Sequence, residues 1–383
     1  MKTMSSRVAF WLSASAVALV FSSTSVSAQG PGVHLTRNGF RTPIFGVSQV
    51  RDASGGVTAA CATLTPTQVE AARFDRQVSR AMAASSPQAV VSGGENGATF
   101  NITYTDADGT GFNDTVNGAT RRRSFEAAVT AWSKVIKAPQ PIEIAASMHT
   151  LDDGDNNPQT VLLATAGPTD FWVIEDTATP SSLAWQKLGG KYDNGSPSDI
   201  TVNVNDQADW DYAVNGVSAE GKFSFVYTLM HELAHGLGMV DSFDPETGNL
   251  LNDPIPFAYD RFVNKGYGAP NLVMNHASEE KKRDLKSNDL FFNGPSANET
   301  SLQSIRPLPM IKLYAPDPHQ AGSSVSHVEQ DLYADLQTGL MTPVGFGQGS
   351  NLIDTLTLSI MKDLGYELVP DAPNASTPTR TRQ

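Results

Sequence analysis

Alternation of apolar and polar side chains first becomes regular at Ala98-Thr99-Phe100-Asn101-Ile102-Thr103-Tyr104, the period of a half-buried strand. Packed structure is expected to begin there. Between residues 121 and 136 the period changes: Phe125, Ala128, Val129, Trp132, Val135 and Ile136 fall on one helical face, and Pro139 and Pro141 punctuate its end. Ile142-Glu143-Ile144 then reads as a strand, and the alternating Asp199-Ile200-Thr201-Val202-Asn203-Val204 as another. From Lys222 to Leu237 no Gly or Pro interrupts the chain before Gly236, and the apolar positions fit a helix largely buried in a core. Pro254 to Pro309 carries several turn signals and a polar helical piece around Glu279 to Lys286, which suits an insertion within the same domain. The last expected element is an apolar helix from Leu352 to Leu364, closed by Gly365 in the C-cap position.

Upstream of Ala98 the texture is looser. Residues 29–95 are rich in Ala, Ser, Gly and Gln, with one helical patch near Pro66 to Ala84, and read as a pro-segment or flexible extension. Residues 1–28 have the form of a secretory signal: Lys2 and Arg7 supply the charged start, Val8 to Phe21 is largely apolar, and Val26-Ser27-Ala28 offers small residues for cleavage. That apolar run is short for a bilayer span of about 20 residues, and Ser13 and Ser15 interrupt it. An exported protein, extracellular or periplasmic, with no membrane partner is therefore expected. Residues 96–370 would form the main domain and 371–383 a disordered tail.

Charge narrows the field of partners. The formal net charge of -13 argues against nucleic acid, whose phosphates require a basic face. With a single cysteine, Cys61, the chain can close no internal disulfide. The plain reading of Cys61 is a small inert side chain; a sharper one has its thiolate cap a metal in a latent precursor. Asp106, Asp108 and Asp114 resemble half of a calcium loop, but Asn117 stands where a bidentate Glu belongs, so a polar turn is the simpler expectation.

The segment with the clearest chemistry is His231-Glu232-Leu233-Ala234-His235-Gly236-Leu237-Gly238. Histidines four apart on a helix lie one turn above each other, so both imidazoles can reach one ion while the acid between them faces the open side. In this composition a chance match to the pattern is on the order of one in a hundred, and the match falls on an expected helix, its required context. Three protein ligands and a water make a catalytic zinc site, in which the water's pKa falls toward about 7 and a nearby carboxylate can deprotonate it. Glu232 is placed for that task, with His231 and His235 as ligands.

The sharp stop offered by Gly238 gives this segment a resemblance to the metzincin metallopeptidases, whose compact motif continues for three more residues to a third histidine. Asp241 stands at that place here and could ligate zinc, as the corresponding acid does in snapalysin-like enzymes. A second candidate lies in Gly322-Ser323-Ser324-Val325-Ser326-His327, followed by Leu340-Met341-Thr342-Pro343 and by a helix ending Asp363-Leu364-Gly365-Tyr366. That order resembles the leishmanolysin-like metzincins, in which a long insertion separates the helix from the third ligand. The resemblance implies an α+β zinc peptidase domain with a twisted sheet, an active-site helix and a C-terminal helical subdomain. It further implies His327 as third ligand, Met341 in the turn beneath the metal, Zn2+ as cofactor and polypeptide substrates. If His327 is the ligand, Asp241 is expected to orient a ligand histidine. Strand 199–204 resembles the edge on which metzincins hold an extended substrate, an ordinary sheet strand being the alternative. His34, His149, His276 and His319 have no motif around them and read as surface or structural residues. The competing functional class is an inactive zinc-containing extracellular binding protein or adhesin.

Overall fold

The computed structural model describes residues 33–34, 45–51, 57–61, 87–151, 160–191, 198–304, 307–320, 322–334, 339–345 and 350–370. The expected export signal, the helical patch at Pro66 to Ala84 and the tail 371–383 lie outside these residues. Among the described residues no helix is long and apolar enough to cross a membrane.

The strands are β1 (Val33–His34), β2 (Phe45–Arg51), β3 (Val57–Cys61), β4 (Ala89–Ser92), β5 (Thr99–Tyr104), β6 (Ile136–Lys137), β7 (Ile142–His149), β8 (Thr160–Pro168), β9 (Phe171–Ile174), β10 (Thr177–Pro180), β11 (Ile200–Asn205), β12 (Trp210–Asp211), β13 (Phe223–Ser224), β14 (Val263–Lys265), β15 (Leu290–Phe292), β16 (Ile311–Lys312) and β17 (Glu367–Leu368). The helices are α1 (Gly118–Ser133), α2 (Ser181–Leu188), α3 (Phe225–Gly236), α4 (Ser278–Asp284), α5 (Pro295–Gln303), α6 (Gln330–Tyr333) and α7 (Thr355–Leu364). The architecture is α+β.

Its centre is a seven-stranded sheet in the order β3-β2-β8-β11-β7-β5-β4. β5, β7 and β11 run parallel, while β8 is antiparallel to β11, with Val202 opposite Ala166. The strand expected at 199–204 is therefore an interior one, flanked by β7 and β8. It is not a substrate-binding edge, because both of its hydrogen-bonding sides are already paired. A second correction concerns where packing begins. β2, β3 and β4 all lie upstream of Ala98 and belong to this sheet, so residues 29–95 are not simply a flexible extension. Gly46, Ser48 and small residues dilute the apolar signal of β2 and β3, whose order comes from pairing with β8.

Helix α3 lies across β8, β11 and β2 and against α1. Its sequence fixes both ends. Ser224 caps the start, its Oγ accepting the Tyr227 amide at 3.2 Å. At the other end Gly238 takes a φ of 114°, a conformation open to glycine, and the chain turns away with the Met239 amide on the Ala234 carbonyl. Gly236 is required for a different reason: a Cβ there would come within 2.5 Å of the Ile200 side chain, so its absence lets helix and sheet touch. The Trp132 indole of α1 donates to the Met230 carbonyl of α3 at 2.9 Å, fixing the two helices in register.

The C-terminal region packs on this frame. β14, β15 and β16 form a small sheet with α5 against β16, and Asp363 at the end of α7 accepts the Ser296 and Ala297 amides at the start of α5. Gly365, at φ 120°, closes α7 as expected. The next residue, Tyr366, donates its hydroxyl to the Leu237 carbonyl at 2.9 Å, so the end of the domain holds the end of α3. The possible calcium loop is a polar turn: the Asp106 carboxylate accepts the Phe112 and Met148 amides, and Asp114 accepts those of Val116 and Asn117.

Phe225, the first residue of α3, meets Tyr212, Trp210 and Phe112 at ring-centroid distances of 4.9, 5.1 and 6.4 Å and is wholly buried. Phe225→Ala should therefore lower unfolding free energy by about 3–5 kcal/mol, measured by denaturant titration.

Candidate metal centre

His231 and His235, one turn apart on α3, are joined by His327 from a loop almost a hundred residues downstream. Their Nε2 atoms form a triangle, with His231 to His327 at 3.1 Å and both other separations at 3.2 Å. The opposite ring nitrogens settle the protonation. Nδ1 of His231 meets the Leu340 carbonyl at 2.7 Å, that of His235 the Met239 carbonyl at 2.8 Å, and that of His327 the Ser323 carbonyl at 2.8 Å. A carbonyl only accepts, so each Nδ1 carries a proton, and in a neutral imidazole that leaves Nε2 with a bare lone pair. Burial keeps the rings neutral: it drives His231 and His327 well below the usual histidine range and His235 down to about 4. Three lone pairs thus converge on one buried point, an arrangement suited to a cation.

A fourth donor is present. Cys61, at the end of β3, places Sγ 3.2 Å from His231 Nε2, and the four donor atoms all lie within 4.8 Å of one another. The four residues could hold one metal ion. Burial, and then the charge of Glu232, push the free thiol's pKa up; a bound cation would reverse that and hold it as thiolate. Sequence reading left Cys61 between an inert and a metal-facing role, and only the sheet pairing brings it here.

Glu232 is fully buried beside the cluster, and its two oxygens make no hydrogen bond of normal geometry among the described residues. Burial raises its pKa well above the carboxylate range, weakly opposed by the Ala166 backbone amide. A buried carboxyl with so few partners is costly in a plain core.

Asp241 does not join the ligand cluster. Its Oδ2 accepts the Ser326 hydroxyl at 2.6 Å, its amide donates to the same hydroxyl oxygen at 2.9 Å, and Oδ1 accepts the Phe243 amide. It therefore positions the backbone beside His327, whereas the ligand imidazoles are oriented by carbonyls; the expected contact from Asp241 to a ligand ring is not made. Burial raises its pKa to about 6. Met341 is buried, and its carbonyl accepts the Val328 amide at 2.9 Å, tying the Leu340-Met341 turn to the residue after His327. His276 lies between Asp284 at 2.7 Å and Asn271 at 2.8 Å, and with Glu280 and Asp284 it makes a second, less buried group of side chains that could hold a metal ion.

Fold and site together describe an α+β domain with a buried three-histidine, one-cysteine donor cluster next to a carboxyl group. The chain belongs to the SPBPB7E8-like family, whose profile matches residues 49–294. That span takes in Cys61, His231, Glu232 and His235 and stops short of His327. No curated protein and no solved structure matches the chain.

His327→Ala should lose most of the bound metal, whereas Asp241→Asn should keep it, with metal per chain measured by elemental analysis after dialysis. Protons compete with an ion for Nε2, so binding is complete above the imidazole pKa and is lost as pH falls through it. With His235 at about 4, metal should stay bound from pH 8 down to about 5 and leave below that, followed in the same analysis.

Proposed function

We propose that this protein is an exported zinc-dependent endopeptidase of the metzincin kind, with His231, His235 and His327 as zinc ligands and Glu232 as general base. The observation that carries the reading is the convergence of three neutral imidazole lone pairs beside a buried carboxyl without partners. Tetrahedral zinc at about 2.0–2.1 Å from each nitrogen sets the nitrogens about 3.3 Å apart, close to the separations here. Imidazole donors in a small tetrahedral space suit zinc better than calcium or magnesium, which take oxygen.

Zinc held there would polarise a peptide carbonyl and acidify water. The chain's own residues do the rest. Glu232 would accept a proton from the attacking water and return it to the leaving amine; a bound cation would offset the rise that burial alone gives its pKa and so hold it ionised for that role. The Leu340, Met239 and Ser323 carbonyls hold the rings so that Nε2, and not Nδ1, faces the ion. A sheet whose parallel strands end in the antiparallel β8, a helix stopped by Gly238, and a turn at Leu340-Met341-Thr342-Pro343 all support the leishmanolysin-like reading.

One observation favours the competing class. With Cys61 the donor set is closed at four, as in structural zinc sites, and a zinc-containing binding protein or adhesin would have that arrangement. Casein hydrolysis by the purified chain, before and after limited proteolysis and with and without a chelator, separates the two. Glu232→Gln should retain zinc and lose cleavage by about 10²–10⁴-fold. No chelator-sensitive cleavage in either form would leave the binding protein as the better reading.

A further inference from the structure

Between α3 and His327 the chain carries a second group of metal-donor side chains, His276, Glu280 and Asp284. Glu280 and Asp284 stand four apart on α4 and share a face, while His276 comes from the loop that leads into that helix. Nδ1 of His276 lies 2.7 Å from an Asp284 oxygen and 3.8 Å from a Glu280 oxygen. One donor atom from each of the three residues falls within 4.8 Å of the others. The His276 and Asp284 side chains are each 9% exposed and that of Glu280 is 51% exposed, so the group lies near the surface with two of its members largely dry.

The opposite ring nitrogen decides which one is offered. Nε2 meets the Asn271 side-chain oxygen at 2.8 Å. Asn271 is itself held from outside the group: its side-chain nitrogen donates to the Lys265 carbonyl at 3.5 Å, its backbone amide donates to Asn264 Oδ1 at 2.6 Å, and its carbonyl accepts the Lys265 amide at 2.9 Å. The amide oxygen therefore faces the ring, and Nε2 carries the proton. A neutral ring then turns the Nδ1 lone pair on the Asp284 carboxylate, acceptor against acceptor, unless a cation stands between them. The three central histidines use the same device, one ring nitrogen anchored on a carbonyl and the other offered to an ion. A single proton on Nδ1 would answer only one of the two carboxylates. Among the described residues neither acid pairs with a lysine or arginine, Lys282 being turned to Glu279 at 2.7 Å.

We propose that His276 Nδ1, Glu280 and Asp284 form a second metal site, for a first-row divalent ion such as zinc, which fastens segment 271–276 to α4. An imidazole with two carboxylates suits such an ion better than calcium or magnesium, which take oxygen throughout. Donors bound to zinc at about 2.0–2.2 Å stand about 3–3.6 Å apart, so the half-exposed Glu280 carboxylate has only to swing inward. With a single cysteine the chain has no disulfide to staple this insertion, and an ion at its surface does that work. The site uses none of the central donors, so it stands or falls apart from the peptidase reading.

The test takes the full chain, freed of metal by a chelator and titrated with zinc. The double variant Glu280→Gln, Asp284→Asn should bind one zinc per chain fewer than the wild type. His327→Ala, which lacks a central ligand, should keep one zinc with a Kd below about 0.1 mM, and adding Glu280→Gln should weaken it at least about tenfold. Zinc should slow amide exchange in 271–284 of His327→Ala at least about tenfold, and the slowing should vanish with Glu280→Gln. Glu280 is half exposed, so this single change carries the test should the double variant fail to fold. Equal zinc counts in wild type and double variant overturn the proposal, as does exchange in 271–284 that zinc leaves unchanged; either result leaves His276 as an imidazolium paired with Asp284. A Kd above about 0.1 mM marks an adventitious ion only and overturns it as well.

Discussion

Three imidazole nitrogens within 3.1–3.2 Å of one another, each with its proton turned outward to a backbone carbonyl, form the constraint around which the domain is organised. Such a triangle is unfavourable by itself, since burial has removed water that could separate the lone pairs and has also made protonation expensive. It persists because α3, the Ser323 loop and the Leu340 turn are each fixed by contacts outside the site. Ser224 and Gly238 set the limits of α3, Tyr366 holds its last turn from the far end of the chain, and Asp241 clamps Ser326 beside His327. The same buried setting would give an ion there a strong hold.

The surroundings of Glu232 follow from the same geometry. A carboxyl in the middle of a buried helix would ordinarily find a donor, as Asp260 does on the Ser242 hydroxyl and the Ser242 and Phe257 amides. Glu232 shares that depth, and burial raises the pKa of both acids, that of Asp260 to about 7. The two buried acids of one domain differ in their hydrogen bonds: Asp260 is saturated, while the Glu232 oxygens have no side-chain partner among the described residues.

The β2–β3 hairpin ties the region before the domain to the site. A segment of modest hydrophobicity is ordered by main-chain pairing with β8 and then fixes the position of the only cysteine. Closure of the donor set at four and cover over the sheet edge thus come from two neighbouring strands, Cys61 on β3 and the β8 ladder on β2.

Local pattern was sufficient for α1, α3, α7, β5 and β7, because each has a regular apolar period and a readable stop such as Gly238 or Gly365. It also placed His231 and His235 on one face, since residues one turn apart on a helix lie together whatever surrounds them. His327 was legible through the motif around it, not through any local rule. Cys61 at the metal donors, Asp241 bound to Ser326, and the interior place of β11 were decided by tertiary structure alone. Strand pairing and loop closure join residues 170 or 96 positions apart, and those contacts depend on which edges and faces remain free once the sheet has assembled, a property no single segment carries.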